Sequence, residues 1–126
     1  GHTEPDDAHA EETALREAEE EIGLERWRVD LLGRLDTYIT RTGFRVTPVV
    51  GVVRPPPAYH PDPHEVAEVF EVPLSALLAP ELPERRQWQT AGGSRWFYAF
   101  PWQGRVIWGA TAGMLVNLRQ VLAPSC

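Results

Sequence analysis

Lysine is absent, and all twelve basic residues are arginine. Any phosphate gripped by a side-chain cation here is therefore gripped by guanidinium, a planar donor suited to bidentate contact with phosphate oxygens. Cysteine is nearly absent too. It occurs only at the last position, Cys126, so no disulfide can form within the chain. That usage fits a reducing, cytoplasmic setting and gives Cys126 no partners for nucleophilic work. No apolar run nears the roughly 20 residues a membrane-spanning helix requires, and no secretory leader pattern is visible, so no membrane partner is expected. A basic surplus is also missing. Eighteen acids against twelve arginines leave a net charge of -6, which argues against a nucleic-acid partner. Internal repeats and low-complexity tracts are lacking as well.

What remains is a 126-residue chain, 43% hydrophobic with five tryptophans, enough for the core of one globular domain. Its charge is uneven. Residues 1–24 hold nine acids and a single arginine, Arg16, for a local net of -8, and the other 102 residues sum to +2. Acidity belongs to one place, and a functional reading starts there.

In "GHTEPDD", Pro5 and the Asp pair can open a helix, which is predicted over Ala8 to Ile22 with Gly23 as its terminator. Leu15, Ala18 and Ile22 have the spacing of its buried stripe. "WRVDLLGRLDTYIT" and "FRVTPVVGVV" read as strands joined through "RTG". "RPPPAYHPDPH", with five prolines in eleven residues, reads as an irregular surface loop. "EVAEVFEVPL" is expected as a strand closed by Pro73, with "SALL" as a short helical turn and residues 79–94 as a second irregular stretch. "RWFYAFPW" and "RVIWG" are expected to form a hairpin around "QG", with Pro101 marking an edge. Leu115, Leu118 and Leu122 predict a closing helix over residues 111–122. The class is mixed α/β.

The carboxylates on the first helix need an explanation. At 3.6 residues per turn, Glu17, Glu20 and Glu21 share an arc of about 100°. Like charges at these spacings destabilise a helix by a few tenths of a kcal/mol per pair, roughly, so something should offset them. A hard divalent cation, Mg²⁺ or Mn²⁺, takes such oxygen ligands together with phosphate oxygens and water. Arg16, next to Glu17, is placed to orient a glutamate. A plain solvated acidic face is the competing reading, favoured for an arbitrary acidic helix. The histidines, His2, His9, His60 and His64, lack ligand-spaced pairs and do not read as a zinc site.

The longer pattern is far more specific than charge. Gly1, Asp7 and "REAEEEIGL", with Arg16, Glu17, Ala18, Glu20, Glu21, Gly23 and Leu24, resemble the signature of the Nudix hydrolase family, G-x(5)-E-x(7)-R-E-U-x-E-E-x-G-U, in which U is aliphatic. Two departures stand out: Asp7 replaces glutamate, and eight residues rather than seven separate it from Arg16. The resemblance implies one Nudix domain over residues 1–126, an α/β/α sandwich with a mixed sheet. Because the motif starts at Gly1, strands that precede it are expected to be missing from this chain. It further implies Glu17 and Glu21 as metal ligands, Glu20 as a metal ligand or water-activating group, Arg16 as an orienting residue, and the Gly1 carbonyl as a further metal contact; Glu20 and Glu21 are both candidates for the base that takes a proton from water. Family members include dimers, so a homodimer is one expectation.

"YITRTGFRVTPVVGVV", "EVAEVFEVPLSALL" and "IWGATAGML" are similar to segments of the coenzyme A pyrophosphatase branch. This implies hydrolysis of the diphosphate of coenzyme A or its thioesters to 3',5'-ADP and 4'-phosphopantetheine or its acyl form. A distal glutamate is common in the family, and Glu65, where loop meets strand, is preferred here over Glu68, against an even chance that it is an ordinary strand-end residue. Arg41, Arg45 and Arg54 are weaker candidates for the 3'-phosphate, against the reading of ordinary surface arginines, and Phe44, Tyr59 or a tryptophan for adenine stacking, against the reading of core aromatics. The alternatives are ADP-ribose, a dinucleoside polyphosphate or another nucleotide as substrate, or a nucleotide-sensing module without catalysis. Intact motif glutamates favour an enzyme.

Overall fold

Residues 9–123 are described by the computed structural model. Helix α1 (Ala10–Ile22) forms where Ala, Glu, Leu and Arg predominate, with Glu11 and Glu12 in the first turn, where negative charge favours the helix dipole. Pro5 and the Asp pair lie outside the described residues. The helix buries Ala10 and Thr13, and the expected stripe of Leu15, Ala18 and Ile22 is half-buried. It ends, as expected, at Gly23, whose φ of 70° is a left-handed cap that suits glycine.

Two compact units divide the chain, Gly1–Phe70 and Glu71–Cys126. In the first, a 3-10 turn (Arg26–Arg28) leads into β1 (Val29–Arg34), which pairs antiparallel with β4 (Val49–Val53) from Val29↔Val53 to Arg34↔Val49. A bulge at Leu32 shifts the register between Leu31 and Gly33. Gly51 lets the two strands approach, since a Cβ there would sit 2.7 Å from Val29 Cγ1. Between them β2 (Tyr38–Ile39) and β3 (Arg45–Val46) form a small hairpin around the expected "RTG" turn. α1 packs against β4 and is tied to β1 by Arg34, whose Nε and Nη2 donate to Glu11 at 2.7 and 2.8 Å.

The second unit opens with a short α2 (Leu74–Leu77), the expected helical turn. β5 (Glu84–Thr90), β6 (Gly93–Trp102) and β7 (Arg105–Trp108) form an antiparallel sheet in that order, and α3 (Gly109–Leu122) packs on β6 and β7. Its core is Ala99, Phe100 and Ala112, all at 1% exposure or less. The β6–β7 hairpin turns at Gln103 and Gly104, with φ of 46° and 78°, the positive pair that a two-residue turn of matching twist requires. Arg119 of α3 holds the loop after α2, its Nη1 donating to the carbonyls of Leu77 at 3.0 Å and Ala79 at 2.9 Å, and to that of Leu82.

Helices and antiparallel sheets together give the mixed α/β content that the family resemblance implies. Every ladder among the described residues is antiparallel. Residues 65–74 do not form the expected strand. The N–H groups of Glu65 and Val66 turn back to the Asp62 carbonyl at 3.0 and 2.8 Å, and no described strand pairs with the segment. Residues 84–90, expected to be irregular, form β5, because Arg86, Trp88 and Thr90 alternate inward opposite β6. Pro101 lies in the central strand, yet β5 begins at Glu84 opposite Ala99. Two-residue hairpins alternate bonded and unbonded pairs, so the Pro101 nitrogen faces the side that β5 does not reach. No described helix is long and apolar enough to cross a membrane.

Candidate active site

The C-terminal half of α1 carries the motif glutamates. Glu17 is half-buried, and Glu20 and Glu21 are exposed. Arg16, also exposed, lies with Nε 4.0 Å from Glu20 Oε1, one turn on. Every side-chain donor on this edge is a carboxylate oxygen, the ligand type hard divalent cations prefer. The donor chemistry therefore fits Mg²⁺ or Mn²⁺. Among the described residues, no three His, Cys, Asp or Glu side chains are drawn together as a metal cluster. Gly1 and Asp7 lie outside the described residues, as do His2 and Cys126.

The end of α1 is closed by two sets of contacts. Gly23 donates to the Glu19 carbonyl at 3.0 Å and Leu24 to that of Ala18 at 3.3 Å. The carbonyls of Glu21 and Ile22 are taken by the proline-rich loop, with His60 N–H on Ile22 at 2.7 Å and Asp62 N–H on Glu21 at 2.8 Å. Helix ends leave such carbonyls without intrahelical partners, and loop amides satisfy them here. Gly23 is also confined in space, because a Cβ there would stand 2.8 Å from His60 Cβ.

The loop is tied at its start as well. Arg54 N–H donates to the Arg28 carbonyl at 2.7 Å, and Arg28 Nη1 returns to the carbonyls of Arg54 at 3.4 Å and Pro56 at 3.0 Å. The Arg54 guanidinium grips Asp30 at 3.1 and 3.3 Å, which holds the Asp30 carboxyl below its ordinary range and raises Arg54. Arg54 thus already has a carboxylate partner. Glu25 is lowered first by the indole N–H of Trp27 at 2.9 Å and next by Arg28.

Glu65 is exposed and sits in the turn that Asp62 folds, and Glu68 is exposed beyond it. The loop contacts therefore bring the Glu65 segment to the helix end that bears Glu20 and Glu21. Phe44 is 52% exposed at the β2–β3 hairpin, where Arg41 and Arg45 are also exposed, and Tyr59 is half-buried in the loop. His60 and His64 each donate a backbone N–H, to the Ile22 carbonyl and to Asp62 Oδ1. Asp62 had not been singled out in the sequence. Its signal was "PDP", an aspartate between prolines, suited to a turn in which its side chain accepts a backbone N–H.

Comparison with known proteins covers nearly the whole chain. The NUDIX domain family model matches residues 1–97. A Nudix hydrolase designated NudL in Photorhabdus laumondii is 38% identical over 120 residues, 95% of this chain and 64% of that protein. The NudL of Yersinia enterocolitica is 37% identical over 95% of this chain and 62% of its own length. "Nudix hydrolase 15, mitochondrial" of Arabidopsis thaliana is 36% identical over 96% of this chain and 45% of its own length. The chain thus spans less than two thirds of each of these relatives, and with the family model matching the motif helix, the proline loop and the sheet into β6, it belongs to the Nudix family.

Proposed function

We propose that this domain hydrolyses the diphosphate linkage of coenzyme A or its thioesters, releasing 3',5'-ADP and 4'-phosphopantetheine or its acyl form. The observation that carries the hydrolase reading is the intact α1 edge of Glu17, Glu20 and Glu21, ended at Gly23 and capped by the loop that leads to Glu65. The substrate choice rests on the downstream segments similar to coenzyme A pyrophosphatases. Glu17, Glu20 and Glu21 hold Mg²⁺ or Mn²⁺ in this reading. The ion neutralises the diphosphate and polarises its phosphorus when bound.

The chain's own groups supply the rest. Water adds its oxygen to one phosphorus, the bridging P–O bond breaks, and a carboxylate among Glu20, Glu21 and Glu65 takes the proton that the water gives up. Glu65 is our choice, because it stands outside the ligand set. Arg16 keeps Glu20 in place. The expected setting is a reducing cytoplasm, with a small nucleotide diphosphate as partner, no nucleic acid or membrane, and a homodimer as the assembly.

A substrate panel tests this reading directly. Coenzyme A should give 3',5'-ADP in the presence of Mg²⁺ or Mn²⁺, with kcat/KM above that for ADP-ribose, dinucleoside polyphosphates and nucleoside triphosphates. A higher value for any of those moves the substrate assignment and leaves the chemistry standing. Glu17→Gln and Glu21→Gln should each fold and lose roughly 100-fold or more in turnover, the scale seen when a group stabilising developing charge is removed. Full activity in both variants would remove these carboxylates from the proposed mechanism.

A further inference from the structure

The proline-rich segment, residues 54–62, has the composition of a loose surface loop, but its contacts are those of a fixed part. At its start, Arg54 and Arg28 exchange backbone and guanidinium hydrogen bonds, and Asp30 holds the Arg54 side chain. At its end, the amides of His60 and Asp62 lie on the carbonyls of Ile22 and Glu21. Asp62 faces both ways. Its N–H joins the helix end, while its Oδ1 accepts the His64 N–H at 2.9 Å and its carbonyl accepts those of Glu65 at 3.0 Å and Val66 at 2.8 Å. Such a turn keeps the Cα of Glu65 within about 7 Å of that of Asp62. One residue therefore couples the position of Glu65 to the helix bearing Glu20 and Glu21.

We propose that residues 54–62 act as a rigid strap and that Asp62 is a positioning residue, holding Glu65 in register with the carboxylate end of α1. This rests on the diphosphatase reading above, in which Glu65 takes the proton. The side chain of Asp62 touches no reacting atom. It acts through Glu65 by fixing the turn, and an amide oxygen at the same place can do the same work.

The test is a double-mutant cycle in the purified protein, with coenzyme A and Mg²⁺. Asp62→Ala should lower kcat about tenfold with KM little changed, the size expected when a supporting partner of a site residue is removed. Asp62→Asn, which retains the acceptor, should restore most of that rate. In a Glu65→Gln background, Asp62→Ala should cost nothing further. Additive losses in the cycle, equal losses in Asp62→Asn and Asp62→Ala, or a Glu65→Gln variant of full activity would each overturn the proposal. If Asp62→Ala does not fold, Asp62→Leu, which also lacks an acceptor, takes its place in the cycle, with the same expected non-additivity. Glu21→Gln separates this from the reading beneath it. Lost turnover there with an additive Asp62 cycle sinks the strap alone, whereas retained turnover there sinks the carboxylate mechanism on which the strap rests.

Discussion

In residues 1–70, guanidinium groups join distant parts of the chain: Arg34 to Glu11, Arg26 to Glu12, Arg54 to Asp30, and Arg28 to the carbonyls of Arg54 and Pro56. In residues 71–126, Ala99, Phe100 and Ala112 are buried outright, and the rings of Trp88, Phe97 and Trp108 meet at centroid distances of 4.9 and 6.4 Å. The first pattern offers geometry with little stability, since exposed ion pairs contribute only about 0.2–1 kcal/mol each. The second offers stability with little direction, because apolar burial is not directional. That division suits a site in which a helix, a loop and several carboxylates must keep a fixed register.

The largest effect should come from the apolar side. Phe100 is 1% exposed, and Phe100→Ala should cost about 3–5 kcal/mol, as lost transfer energy and cavity formation add. Urea unfolding followed by tryptophan fluorescence measures it. A loss no larger than that of a surface substitution would erase the contrast between the two units.

A smaller effect belongs to the polar side. Gly23→Ala places a methyl group 2.8 Å from His60 Cβ at a φ of 70°, where side chains are strained. It should cost about 1–3 kcal/mol. Because the same contact seats residues 54–62 on α1, it should also reduce kcat, and by a greater fraction than Phe100→Ala does under conditions where both variants are folded. Equal kinetic losses would mean that the loop contacts position nothing.

Much of this was legible in advance, for identifiable reasons. α1, its stop at Gly23, the "RTG" turn and the Gln103–Gly104 hairpin all follow from local chemistry: helix formers, a left-handed cap and residues that tolerate positive φ. Failures came where pairing decides. Residues 65–74 have strand composition, but Asp62 captures the first amides and no described strand pairs with the segment. Residues 84–90 look polar, yet β6 supplies a partner through seven paired positions. The motif residues were named through the resemblance of "REAEEEIGL" to the family signature, whereas the link between Asp62 and Glu21 joins positions some forty residues apart and has no local signal. Arg54 illustrates the same limit, since its partner, Asp30, lies in β1, 24 residues earlier.

The smallest effect sharpens the comparison through pH. Glu11 receives two hydrogen bonds from Arg34 at 2.7 and 2.8 Å, and these, with a backbone hydrogen bond and the positive charge of Arg34, pull its carboxyl from an ordinary 4.5 to about 2. A carboxyl lowered on folding adds stability that is complete above the unfolded value and is lost as pH falls through the folded one. The window for Glu11 therefore runs from about 4.5 down to about 2. Wild type and Glu11→Gln should differ in urea midpoint at neutral pH, and the gap should close across that window as the wild-type carboxylate takes its proton. Both side chains are about one third exposed, so 1 M salt should narrow the gap as well, at roughly 3 Å of screening length. A gap that holds constant with pH would mean that the α1–β1 tie acts through packing of the side-chain stems, and the distinction between charge-directed and apolar order would then fail at its best-formed ion pair.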